Sequence, residues 1–325
     1  MNDSGLVEAV RELGLIAPGE GAECVPLSGG VSSDVFLIHP TGCRDLVVKR
    51  SIPRLRVRED WRAPVGRDAQ EVAWLRAVRA VDPRLVPDVL AWSRKEHLFV
   101  MEFRAGVVWK QEMTEGHVDP GFAGGVGVAL ARIHAATAGR SELAAQFSDS
   151  SNFSALRIDP FLSFTAGRNP DVAERLRILA SDLLSRKSAL IWGDASPKNI
   201  LIGESGPVFL DAETATIGDP AFDVAFCLTH LLLKTVWLAA YAPSLLASFI
   251  ALCDAYLNAF AVDEGFGQRA ANLIGALLLA RVDGKSPAGY LSAEQDEIVR
   301  RRAKMILKRS DLDLATLPGF WRALA

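Results

Sequence analysis

Three polar side chains punctuate the stretch ALIWGDASPKNILIGESGPVFLDAE, residues 189–213. Asp194, Asn199 and Asp211 stand where short apolar runs end. The runs ALIW, ILIG and PVFLD read as strands, and Glu204-Ser205-Gly206 reads as the turn of an antiparallel hairpin. A hairpin returns the residue after its second strand to the residue before its first, so Asp211 is expected near Asn199. An amide oxygen beside a carboxylate suits a hard cation such as Mg2+. Asp194 precedes Asn199 by five positions in the same loop. One carboxylate to orient an acceptor hydroxyl, then an amide and a second carboxylate to hold a metal on nucleotide phosphates, is a layout for phosphoryl transfer. Asx turns at strand ends explain any one of these residues, but not the set at this spacing.

The first hundred residues supply matching parts. Lys49 closes the apolar run LVVK, where an ammonium can reach nucleotide phosphates, and Glu71 follows on a helix where it can pair with it. LSGGVSSDVFLI places Gly29, Gly30, Ser32 and Ser33 in a turn between two strands. Small residues there let backbone N–H groups approach a phosphate. The turn lacks the Gly-x-Gly-x-x-Gly spacing, so by itself it is an ordinary hairpin turn.

These residues need a frame. A short helix is expected over 3–13, a strand meander over ECVPLSGGVSSDVFLIHPTGCRDLVVKRS, a helix over 66–80 and a strand over 97–103. The basic segment 49–67 reads as a solvated, mobile loop. Beyond Arg104 the character changes. Residues 121–139 form a helix rich in small residues, 171–187 another, and almost everything after Ala221 is helical. This gives an α+β chain with a small antiparallel-sheet lobe, residues 1–103, and a larger, mainly α-helical lobe, residues 104–325. No internal repeat or low-complexity tract interrupts it.

Composition narrows the function. The chain has 325 residues, 50% hydrophobic and 23% charged, with a net charge of −3, which argues against a nucleic-acid binder. The four cysteines form no CxxC pair or zinc spacing, so reduced thiols and a cytoplasmic location are expected. The apolar stretch 236–253 contains Pro243 and is expected to form two buried helices, or one kinked helix, not a membrane span. A monomer or homodimer is expected.

The ordered set resembles the aminoglycoside phosphotransferase/choline kinase family, over roughly residues 24–290, with a protein-kinase-like bilobal fold. GDASPKNIL resembles that family's catalytic loop, and LDAETATIGDPAFDVA its metal-binding segment. LARIHAAT is similar to the helix before the catalytic region, and VMEF to the hinge. The resemblance implies Asp194 as base, Asn199 and Asp211 as metal ligands, Lys49 on the phosphates and Glu71 as its partner. It also implies that the backbone of Met101, Glu102 and Phe103 holds the adenine. The implied cofactors are ATP, with GTP as the alternative, and Mg2+. The family carries His-Gly-Asp where this chain has Trp192-Gly193-Asp194. The substitution is the sole support for a second reading, a catalytically weak nucleotide-binding pseudokinase or adaptor. A protein substrate is disfavoured, because no activation-loop or Ala-Pro-Glu segment follows Asp211.

For the acceptor, NFSALRIDPFL offers Arg157 and Asp159, and LLLARVDGKSPAGYL offers Arg281, Asp283 and Lys285. Both resemble stretches of bacterial sugar and aminoglycoside kinases, with some likeness to methylthioribose kinase. Trp192 and Glu213 join this acceptor set, whereas Asp219 and Asp223 are expected to cap the next helix and His134 to be a satisfied helix residue. A polycationic acceptor needs a strongly acidic pocket, and Arg300, Arg301 and Arg302 offset the acids of the last third, so a small neutral hydroxyl compound is favoured.

Overall fold

The computed structural model describes residues 3–27, 32–56, 61 and 64–324. Gly29, Gly30 and part of the basic segment 49–67 lie outside the described residues. The chain divides into two compact units: Met1–Ala105 with Val208–Glu213, and Gly106–Pro207 with Thr214–Ala325.

The first unit is built on an antiparallel sheet of five strands in the order β1-β2-β3-β5-β4. The strands are β1 Ala22–Pro26, β2 Ser33–Pro40, β3 Leu46–Ser51, β4 Val89–Ser93 and β5 Leu98–Glu102. Strand alternation sorts the two faces. Leu46 and Val48 of β3 join Leu98 and Val100 of β5 in a cluster covered by Leu6 and Val10 of helix α1, Asp3–Glu12. Lys49 therefore faces the other way, in register with Phe99. On α2, Asp68–Val81, Glu71 is buried together with Val72, Trp74, Leu75 and Val78. A single 3-10 turn, Val65–Arg67, leads into it.

The second unit is mainly helical: α3 Trp109–Thr114, α4 Pro120–Thr137, α5 Ala173–Ser185, α6 Ala221–Trp237, α7 Ala242–Ala259, α8 Phe266–Asp283 and α9 Ala293–Leu307. Asp119 caps α4 by accepting from Gly121 N at 2.7 Å, with Pro120 in the first turn. The small residues of α4 have a packing purpose. A Cβ on Gly127 would lie 2.4 Å from the Leu252 carbonyl oxygen, so only glycine allows α7 this close. Helix α6 is buried on nearly every side, which explains its largely apolar sequence.

The apolar stretch 236–253 is not one helix. Helix α6 ends at Trp237, a 3-10 turn spans Ala239–Tyr241, and Pro243 opens α7. By length and mean hydropathy Ala239–Ala259 could cross a membrane, and a third (33%) of it is buried. Its inward residues Leu245, Phe249, Leu252 and Tyr256 pack in the unit that holds α4. All four cysteines are free, and burial pushes the Cys227 thiol up to about 12.

Short strands carry the loops of interest. Strand β7, Ala189–Ile191, pairs antiparallel with β10, Thr216–Gly218. The two-residue strand β6, Val107–Val108, pairs with Leu201 and Ile202 of β8, Ile200–Gly203. Strand β9, Gly206–Phe209, then leads the chain into residues 208–213 of the first unit. Residues 154–163 form a π-helix with Pro160 inside it. The widened turn accommodates the proline without breaking the helix.

Candidate active site

In the first unit, Lys49 lies at the bottom of a carboxylate cluster. Its Nζ is 2.9 Å from Glu71 Oε1 and 2.7 Å from Oε2, and 2.5 Å from Asp211 Oδ1. Burial works against the ammonium, but Asp211, Glu71 and Glu213 outweigh it and hold its pKa well above the ordinary lysine value. Burial, then the nearby Asp211 and Glu213, push the Glu71 carboxyl up to about 7 despite Lys49. Asp211 adopts φ 64°, the left-handed region that aspartate tolerates better than most residues. The backbone thus turns sharply where the carboxylate meets Lys49.

Glu213 is not available to an acceptor. Its Oε2 receives Arg67 Nε at 2.6 Å, and Arg67 is 0% exposed. The guanidinium also donates to the carbonyls of Pro64 at 2.7 Å, Ile52 at 2.9 Å and Ser32. This end of the basic segment is an anchor, not the solvated loop expected from its composition. The hydroxyl of Ser33 is buried with no hydrogen-bond partner, and Ser32 is buried beside it. Of the expected hinge, Met101 is buried, Glu102 faces Arg104 at 3.5 Å and Phe103 is exposed.

In the second unit, the loop after β7 holds Asp194. Gly193 has φ +79°, and a Cβ there would lie 2.5 Å from Thr214 Oγ1, so this position requires glycine. Asp194 is 5% exposed, with Arg157 Nη2 at 3.0 Å and Lys198 Nζ at 3.5 Å from its Oδ2. Arg157 Nε also donates to the Gly193 carbonyl at 2.6 Å. Arg157, expected at the acceptor, is instead a buried brace of the Asp194 loop. Asn199 Nδ2 donates to the Asp194 carbonyl at 3.2 Å, which fixes the amide and turns its oxygen away from that bond.

Asp223 holds the loop from behind. It accepts from Trp192 N at 2.6 Å and Gly193 N at 2.7 Å. His134 Nε2 lies 3.2 Å from the same carboxylate, and His134 Nδ1 lies 2.9 Å from Tyr256 Oη. Asp223 was expected to cap α6, but its bonds go to a loop thirty residues earlier in the chain. Asp219 remains structural, accepting from Ala221 N at 3.0 Å and pairing with Arg269 at 2.9 Å. Trp192 is 1% exposed, so its ring packs inside the unit rather than lining an acceptor pocket. The loop's support comes through backbone amides, which is why a tryptophan is tolerated at position 192.

The remaining acceptor candidates separate. Asp159 is exposed, and Asp283 is engaged by Arg300 at 2.9 Å and by Asn169 at 3.1 Å. Lys285 rests over the Phe164 ring at 5.5 Å. Arg281 is held by the Ser286 carbonyl and hydroxyl, and the Asp194 carboxylate contributes to its electrostatic environment. Sequence reasoning missed Arg67, Asp223, Lys110 and Lys234. Only Arg67 had a local sign, standing immediately before a helix that opens with acidic residues.

The donor set fits a hard cation. Glu71, Asp211 and Glu213 bring three carboxylates to Lys49 and Arg67, the oxygen-rich surrounding that a hard cation takes.

Residues 23–256 match the phosphotransferase enzyme family. Among solved structures, amicoumacin kinase in complex with AMP-PNP, Ca2+ and Ami aligns with a TM-score of 0.63 at 13% identity, over 98% of this chain and 97% of that one. A choline/ethanolamine kinase family protein from Mesorhizobium loti gives 0.56 at 17%, over 98% and 99%. Macrolide 2'-phosphotransferase MphH from Brachybacterium faecium gives 0.53 at 19%, over 94% and 97%. No curated protein sequence matches the chain. These structures share the kinase-like fold, with an antiparallel-sheet region and a largely helical part.

Proposed function

Since the chain belongs to the phosphotransferase enzyme family, we propose that it transfers the γ-phosphoryl group of ATP to a hydroxyl of a small polar molecule with the help of Mg2+. The observation that carries this reading is the buried lysine held between Glu71 and Asp211. A lysine fixed by a helix glutamate is the phosphate-positioning device of kinase chemistry. Lys49 orients phosphate oxygens, and Glu71 keeps its ammonium from swinging into solvent. The buried, unpartnered Ser33 hydroxyl is a further donor on the same strand framework.

Asp194 orients the acceptor hydroxyl and receives its proton as the oxygen forms its bond to phosphorus and the bond to the β-phosphate oxygen breaks. Arg157 keeps the Asp194 carboxylate in one place, and Lys198 offsets charge beside it. Asn199 and Asp211 would hold Mg2+. When bound, that cation neutralises charge developing on the phosphates. The amicoumacin kinase structure was obtained with AMP-PNP and Ca2+, which supports a nucleotide and a divalent cation here. The short run from Asp211 to α6 at Ala221 leaves little chain for an activation loop and favours a small acceptor over a protein.

The test is ADP release by the purified chain with ATP and Mg2+, compared with Asp194→Asn. The variant is expected to keep nucleotide affinity and lose about 10²–10⁴-fold in turnover. Turnover close to that of the parent would overturn the assignment. Replacing ATP by GTP in the same assay identifies the nucleotide.

A further inference from the structure

The second unit carries a group of cations that the Asp194 loop does not engage: Lys110, Lys234 and Arg281. Lys110 Nζ stands 5.5 Å over the ring of Tyr290, whose ring centre is 4.3 Å from that of Trp237. Arg281 Nη1 donates to the Ser286 carbonyl at 2.5 Å and to its hydroxyl at 3.1 Å. Arg281 Nε and Tyr290 Oη are buried with no hydrogen-bond partner. Lys234 is 1% exposed and has no ion pair among the described residues. Lys110 and Trp237 also line an open cavity of about 400 Å3.

This differs from how the chain treats three other buried cations. Lys49, Arg67 and Arg157 each face a carboxylate at 3.0 Å or less. Leaving a buried donor unsatisfied costs about 1–3 kcal/mol, and an unpaired buried charge costs more. A purely structural role leaves that cost without an offset at Lys234, at Arg281 Nε and at Tyr290 Oη, and half-buried Lys110 has no ion pair among the described residues. A ligand with anionic oxygens supplies what the protein does not.

We infer that the acceptor is an anionic hydroxy compound, its carboxylate or phosphate group held by Lys110, Arg281 and Lys234 while Trp237 and Tyr290 flank its carbon frame. The inference rests on the phosphoryl-transfer reading above and names the substrate class of that site. The electrostatics agree. Burial, with Lys110 and Arg281, draws the Lys234 pKa down to about 7. Burial and the same cations, joined by Lys198, hold His230 well below its ordinary value. Glu115, the carboxylate on the cavity wall, is engaged by Gln111, from which it accepts at 2.9 Å. A cationic acceptor meets repulsion here, and a neutral one leaves the lysines unpaired.

The probes are glycerol, glycerate, glycerol 3-phosphate and serinol, which share a primary alcohol and differ in charge. ADP release by the whole chain is measured with each, and the Tm is measured in the presence of Mg2+ and AMP-PNP. At least one anion is expected to be used or bound at least ~10-fold better than glycerol, with serinol weakest. The carboxylate and phosphate arms separate the two kinds of anion. Lys234→Met and Lys110→Met should each cut the anion-to-glycerol ratio by about 10-fold, whereas Lys95→Met, at a side chain 92% exposed in the first unit, should leave it unchanged. Equal response to all four probes, a preference for serinol, or no effect of either anion on ADP release and Tm overturns the inference. Asp194-dependent ADP release with Mg2+ alone would survive that failure, and its absence would instead sink the phosphoryl-transfer reading.

Discussion

The two units bring opposite charge to the chemistry. Around Lys49 the first unit gathers Glu71, Asp211 and Glu213 against one lysine and one arginine. Around Asp194 the second gathers Arg157 at 3.0 Å and Lys198 at 3.5 Å, and the same unit carries Lys110, Lys234 and Arg281. On the proposed function, the acidic cluster would hold a divalent cation with its nucleotide, and the basic one would steady the Asp194 carboxylate and draw in an anionic acceptor. The contrast shows why net charge says little about a site: a chain at −3 divides its charges into two local surpluses of opposite sign.

The largest effect should come from the basic half. Asp194→Asn removes the charge while keeping the shape, and a loss of about 10²–10⁴-fold in ADP release is expected. In the acidic half, Lys49→Met leaves Glu71 and Asp211 without their cation. Urea unfolding should report a loss of ~3–5 kcal/mol. Adding Glu71→Gln should recover part of it, and no recovery would mean the pair is not coupled as described. Gly193→Ala places a methyl against Thr214 in a left-handed backbone and should cost about 1–3 kcal/mol. Adding Thr214→Ala should restore only a part, because the backbone conformation is unchanged.

The smallest effect is a pH dependence. Lys234 has a folded pKa near 7, below its ordinary 10.5. A lowered folded pKa gives stability that is present above 10.5 and lost as pH falls through 7. Lys234→Met should therefore raise Tm most near and below pH 7, with the gain shrinking towards pH 10. A gain that is flat with pH would mean that this lysine keeps an ordinary pKa.

What the sequence revealed follows from the range of each interaction. Strands β1, β2, β3 and β5 and helix α2 were legible because alternation and helical spacing are local, whereas β4, Val89–Ser93, was not located, and Lys49 was legible because it closes an apolar run. Asp194, Asn199 and Asp211 stood out by their places at strand ends. Arg67 was read as surface because its partner Glu213 lies 146 positions away. Asp223 was read as a cap because its bonds to Trp192 and Gly193 depend on how α6 packs behind the loop. Lys234 lies in an otherwise apolar helix, and no local pattern distinguishes a buried lysine from a flanking one. The π-helix around Arg157 depends on a backbone register that residue types do not encode.

The return of residues 208–213 to the first unit has a consequence for dissection of the chain. A fragment cut at Ala105 would retain Lys49 and Arg67 and lose both Asp211 and Glu213. Its guanidinium at position 67, 0% exposed, would then lie in the interior without a counter-ion. Expressed alone, such a fragment should fold poorly, and supplying a peptide spanning 206–214 should restore its folding. The smaller unit is thus an assembly of two chain segments, and a circular permutant that joins them would be the way to isolate it.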